Sequence, residues 1–111
     1  MRVMDYITAG GKNLITEYLD KLPDGERTTA YEIRSKIESL GKVALDSIKT
    51  RQLKGKLWEI KFSDNRIMYV LKDSEYIYFL HACKKQKNKT EKSDLEKAIK
   101  RAKEAGLKVD Y

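Results

Sequence analysis

The chain has 111 residues, 12.9 kDa, with 41% hydrophobic and 37% charged side chains, which is the size and mix of one domain with a real core under a strongly solvated surface. Its one cysteine, Cys83, and one histidine, His81, exclude an internal disulfide and a Cys/His zinc site in a monomer, and leave any triad chemistry to His81 alone. The net charge of +7 is unevenly spread: residues 1–48 hold 7 basic and 8 acidic side chains, residues 49–111 hold 17 and 9, so the excess lies in the second part and points to a polyanionic partner.

In chain order, Val3, Tyr6 and Ile7 before Gly10-Gly11 predict a short strand and a turn. Lys12 follows that glycine pair, but Asn13 rather than serine or threonine comes next, so the phosphate-binding loop pattern is not completed. Leu14, Ile15, Tyr18, Leu19 and Leu22 recur at helical spacing from Lys12 to near Pro23. A second helix is predicted from Pro23-Asp24, with Ala30, Ile33, Ile37 and Leu40 as its core stripe and Gly41 as its stop. The period then changes. Trp58, Ile60 and Phe62 alternate with Leu57, Glu59 and Lys61, and after a turn at Ser63-Asp64-Asn65 a second strand runs from Arg66 to Lys72. Tyr76 to Cys83 makes a third strand, apolar enough to be central. By alternation, His81 faces the same side as Ile77, Phe79 and Cys83, which favours a buried structural histidine over a catalytic one.

Thr90 to Lys103 carries Leu95, Ala98, Ile99 and Ala102 on a thin seam, a last helix suited to a sheet edge or to a partner. The order β-α-α-β-β-β-α describes one α+β domain over residues 1–111, with a small, mostly antiparallel sheet whose inner face is covered by the two N-terminal helices. No apolar run approaches the ~20 residues that cross a bilayer, and the N-terminal residues are too polar for a secretory segment, so a cytoplasmic protein without membrane contact is expected.

Three basic groups are expected to converge on this scaffold. Lys49, Arg51, Lys54 and Lys56 lead into the first meander strand, which ends near Lys61; Arg66 opens the next; Lys84, Lys85, Lys87 and Lys89 leave the third. Clustered cations repel, and a bound nucleic acid is the simplest reason to keep them together. Were that polymer cut by its own ribose 2′-OH, the reaction implied by the resemblance given next, Arg66 could stabilise charge but could not act as a base. A lysine can act as a base only if its neighbours bring its pKa down from about 10.4 toward neutrality, a cost of ~4 kcal/mol. Lys61 and Lys85 are the acid/base candidates, Lys54, Lys56, Lys84, Lys87 and Lys89 the RNA-binding ones. Glu59 is either a rival base or one half of a cross-strand ion pair. Arg66→Ala is expected to abolish activity with the fold intact.

Leu57-Trp58-Glu59-Ile60-Lys61, Arg66-Ile67-Met68-Tyr69 and Phe79-Leu80-His81-Ala82-Cys83-Lys84-Lys85-Gln86-Lys87, followed by a helix with Glu96-Lys97-Ala98, resemble the HigB branch of the RelE-like toxins and its phage-derived relatives. The resemblance implies a RelE-like fold and a metal-independent mRNA interferase, an endoribonuclease working at the ribosome without a cofactor. It also implies silencing by a helix-turn-helix, HigA-like antitoxin, through which the complex would bind operator DNA. The family's basic positions fall on Lys61, Arg66, Lys84, Lys85 and Lys87, with Glu59 beside them. Lys61 stands where relatives often have arginine, and Ala82-Cys83 replaces a common Gly-Phe. Two other readings share the charge pattern: a nucleic-acid-binding module without catalysis, and a basic scaffold whose last helix docks an acidic protein.

Overall fold

The computed structural model describes residues 1–85 and 92–110. Its elements are β1 (Arg2–Asp5), α1 (Leu14–Asp20), α2 (Asp24–Leu40), α3 (Lys42–Asp46), β2 (Thr50–Lys54), β3 (Leu57–Phe62), β4 (Asn65–Leu71), β5 (Tyr76–Lys84) and α4 (Lys92–Glu104). They form one five-stranded sheet in the order β1-β5-β4-β3-β2. The β2-β3, β3-β4 and β4-β5 pairs are antiparallel, whereas β1 lies parallel to β5 with Val3 opposite Ile77.

The α+β class agrees with the sequence reading, but the architecture corrects it. The sheet is mixed, it gains β2 beside the predicted first strand and meander, and four helices flank it on both faces. On one face Ile15 and Leu19 of α1, Ala30 and Ile37 of α2, and Ala44 and Leu45 of α3 pack against Ile60, Phe62, Ile67, Tyr69, Ile77 and Phe79. On the other, Ala98 and Ala102 of α4, with Leu107 and Val109 after it, cover Leu57, Met68, Val70 and Leu80. The last helix therefore lies over the sheet rather than at its edge. Small side chains at Ala98 and Ala102 let its backbone come close, which is why a thin seam suffices. No helix among the described residues is long and apolar enough to cross a membrane.

Local chemistry sets the element ends. Helix α1 begins at Leu14 rather than Lys12 because Asn13 caps it, its Oδ1 accepting from the N–H groups of Ile15 and Thr16 at 3.0 Å each. The Asn13 side chain also donates to Asp5, whose carboxylate takes a two-pronged contact from Arg34 at 2.7 and 2.8 Å, so one acid ties β1 to α1 and α2. Gly41 stops α2 at φ 65°, as predicted, but Leu40 of the predicted core stripe remains 55% exposed.

Strand β5 carries a bulge. Met68 pairs with His81 but Tyr69 pairs with Phe79, leaving Leu80 as the extra residue. The insertion reverses the alternation, so His81 lies on the opposite face from Ile77 and Phe79. It joins Cys83 and Met68 beneath α4. The expectation that all four β5 residues share a side fails at this bulge.

Candidate nucleic-acid interface

The β3-β4 turn brings Lys61 of β3 directly opposite Arg66 of β4, and Arg66 opposite Cys83 of β5. Strand β2, which the sequence reading did not contain, adds Arg51 opposite Glu59 and brings Lys49 beside Lys61, whose N–H donates to the Lys49 carbonyl at 2.9 Å. Cations from three neighbouring strands thus meet at one corner of the sheet. Lys85, exposed, is fixed beside the same corner by its N–H, which donates to the Asp64 carbonyl at 2.6 Å.

Glu59 is wholly buried in the middle of this array. Its Oε1 accepts from Arg51 at 3.0 Å and from Arg66 at 3.3 Å. That is the ion-pair geometry, and the carboxylate offsets charge that would otherwise drive the guanidinium groups apart. Partial burial, followed by the charges of Arg51, Arg66 and Lys49, holds Lys61 below the ordinary lysine pKa, while Glu59 acts the other way.

The remaining basic candidates do not gather there. The β2-β3 hairpin turns between Lys54 and Leu57, so Lys54 and Lys56 sit at its far end, about 13 and about 16 Å along the strand from Lys61. Lys56 instead borders a cavity of about 460 Å³ with Trp58, Tyr69 and Leu45, and Lys54 one of about 400 Å³ with Ile99 and Lys103. Lys84 turns to the other face, 3.6 Å from Glu26 at the start of α2. There Tyr18 donates to Asn65 at 2.7 Å and Asn65 donates to Glu26 at 2.6 Å, a chain that joins both helices to β4. The convergence expected of all three basic groups is corrected on these three lysines. Lys87 and Lys89 lie outside the described residues. Tyr78 packs partly buried in the core under α4.

His81, Cys83 and Asp94 bring ligand-type atoms within 4.8 Å of one another. The hydrogen bonds show how this trio is used. Arg101 has only donors and points one at Nδ1 of His81, 3.1 Å away, so Nδ1 carries the lone pair, and Nε2–H donates to Asp94 at 2.7 Å. A cation on Nε2 would move the imidazole proton to Nδ1, against Arg101. The trio therefore fits a neutral clamp between α4 and β5 better than a metal centre. Burial of the Cys83 thiol raises its pKa to about 12, which keeps it from acting as a thiolate nucleophile near neutrality.

Burial is also the main cause that lowers the His81 pKa, against the opposing pull of Asp94. The unfolded chain then takes up this proton first as the pH falls. The histidine's contribution to stability should be intact above about pH 6.5 and shrink below it, until the folded form also protonates. Urea melts between pH 7.5 and 5 should show this loss, and His81→Asn should remove that part of the pH dependence.

The chain is a small α+β domain with a cationic corner on a sheet flanked by helices on both faces. The profile of phage derived protein Gp49-like (DUF891) matches residues 17–103, and the chain belongs to this family. It is a family of toxin–antitoxin toxins related to the RelE and HigB types, so the resemblance carried by the three motifs holds at that level. The narrower assignment to the HigB branch is not carried by the match. A comparison with curated proteins finds no match to the chain.

Proposed function

We propose that this protein is the toxin of a toxin–antitoxin pair and acts as a metal-independent endoribonuclease on messenger RNA at the ribosome. The observation that carries the reading is the meeting of Lys49, Arg51, Lys61 and Arg66 on three adjacent strands around one buried carboxylate, with the Lys61 pKa lowered. Membership of the Gp49-like family supports it.

In this reaction the ribose 2′-oxygen attacks the neighbouring phosphorus, the P–O5′ bond breaks, and a 2′,3′-cyclic phosphate and a 5′-hydroxyl result. The neutral amine of Lys61 takes the 2′-OH proton, the flanking cations stabilise the charge that grows on the phosphorane, and Lys85 supplies a proton to the leaving oxygen. Glu59, enclosed between guanidinium groups, serves to hold them. A base and cations without a ready histidine pair favour a substrate held in line by another particle, which accords with action on the ribosome. A helix-turn-helix antitoxin, with operator DNA bound through it, completes the proposal.

Mapping transcript ends after a short pulse of expression tests it. New 5′-hydroxyl ends inside coding regions are expected within minutes. Growth arrest or RNA retention without new ends would leave the non-catalytic nucleic-acid-binding reading in its place.

A further inference from the structure

We propose that Arg51 is the guanidinium that meets the RNA phosphate, and that Glu59 is the positioning residue that aims it. The inference rests on the ribonuclease reading above and gives a role to a residue that the sequence placed only among the clustered cations. Two guanidinium groups share Oε1 of Glu59, and they differ in reach. The Arg66 side chain is 2% exposed, whereas that of Arg51 is 37% exposed. A phosphate arriving from solvent meets Arg51 first.

The placement of Arg51 fits the role. It stands opposite Glu59 in the β2-β3 register, one strand over from Lys61 and two residues along from Lys49, so a phosphate at Arg51 lies within the same cationic corner as the proposed base. A long side chain on an edge strand ordinarily samples many rotamers. The contact to a fully buried carboxylate at 3.0 Å restricts that freedom before any ligand arrives, and orientation prepared in advance is what a charge-stabilising group requires. Arg66, on the inner side of the same carboxylate, braces Glu59 in turn. The planar fork of arginine also distinguishes this position from the surrounding lysines, because it can match two phosphate oxygens at once.

The test compares wild type, Arg51→Ala and Arg51→Lys by the yield of cleaved transcripts in expressing cells and by binding of a single-stranded RNA oligonucleotide at several salt concentrations, with the melting midpoint of each as a fold control. Arg51→Ala is expected to cut cleavage by about a hundredfold. It should also reduce the slope of log affinity against log salt by about 0.7. Arg51→Lys should restore the slope but not the cleavage, since charge returns without the fork. Wild-type cleavage by a folded Arg51→Ala protein, or full recovery of cleavage by lysine, overturns the assignment while the ribonuclease reading stands. A wild-type protein that neither cleaves transcripts nor retains the oligonucleotide overturns both.

Discussion

Replacing Arg66 with alanine is expected to lower the unfolding free energy by about 3–5 kcal/mol, because it takes a guanidinium partner from a fully buried carboxylate. Arg66 and Glu59 are each almost completely enclosed, so water cannot replace the lost partner. For a domain of this size, that is a large share of a total of roughly 5–15 kcal/mol. Removing the charge at both ends, as Glu59→Leu with Arg66→Met, should recover most of the loss, since two apolar side chains of similar volume need no mutual compensation. Denaturant midpoints at constant slope would show both effects; an alanine variant as stable as wild type would contradict the ion-pair account. The expectation that Arg66→Ala spares the fold is revised on this ground. Inactivity of that variant would report structure before chemistry, so Lys61 and Arg51 are the informative positions.

Lys61→Met is expected to lower RNA cleavage by about a hundredfold to ten-thousandfold, the range for loss of a general base. Its stability should stay within about 0.5 kcal/mol, because the side chain is partly exposed and no ion pair among the described residues depends on it. A base acts when unprotonated, so cleavage should rise with pH through the Lys61 pKa, and burial together with Arg51, Arg66 and Lys49 moves that rise to lower pH than for an ordinary lysine. Arg51→Gln removes one of these causes and should move the rise back to higher pH in whatever cleavage remains. Rates of single-turnover cleavage on programmed ribosomes across pH 6–10 would measure the shift. Unaltered cleavage by Lys61→Met would remove lysine from the role of base.

The sequence was most legible where side chains repeat at a fixed period against a core. The alternation of Trp58, Ile60 and Phe62 placed β3, and the short turn after it set Lys61 against Arg66 in the right register. Strand β2 escaped because Thr50–Lys54 is an edge strand, polar along most of its length, with only Leu53 turned toward apolar packing. That omission left Arg51 as one of a basic group without a role of its own, since its pairing with Glu59 is what singles it out. Helix α3 has five residues, too few for a helical period to be visible, and it is recognised by the burial of Ala44 and Leu45. The parallel β1-β5 pairing joins residues more than seventy positions apart and leaves no local signal. The bulge at Leu80 is a backbone event, and the face of His81 followed from it rather than from alternation.

The most direct test of the central claim, that strand pairing gathers one RNA-seating corner from distant parts of the chain, is the salt dependence of oligonucleotide affinity for two charge-neutralised pairs. Neutralising Lys49 and Arg51, which share the corner, should reduce the slope of log affinity against log salt by about 1.4, at about 0.7 per phosphate contact, while neutralising Lys54 and Lys56 at the far end of the hairpin should leave it nearly unchanged. Equal reductions from both pairs, or none from the first, would contradict it.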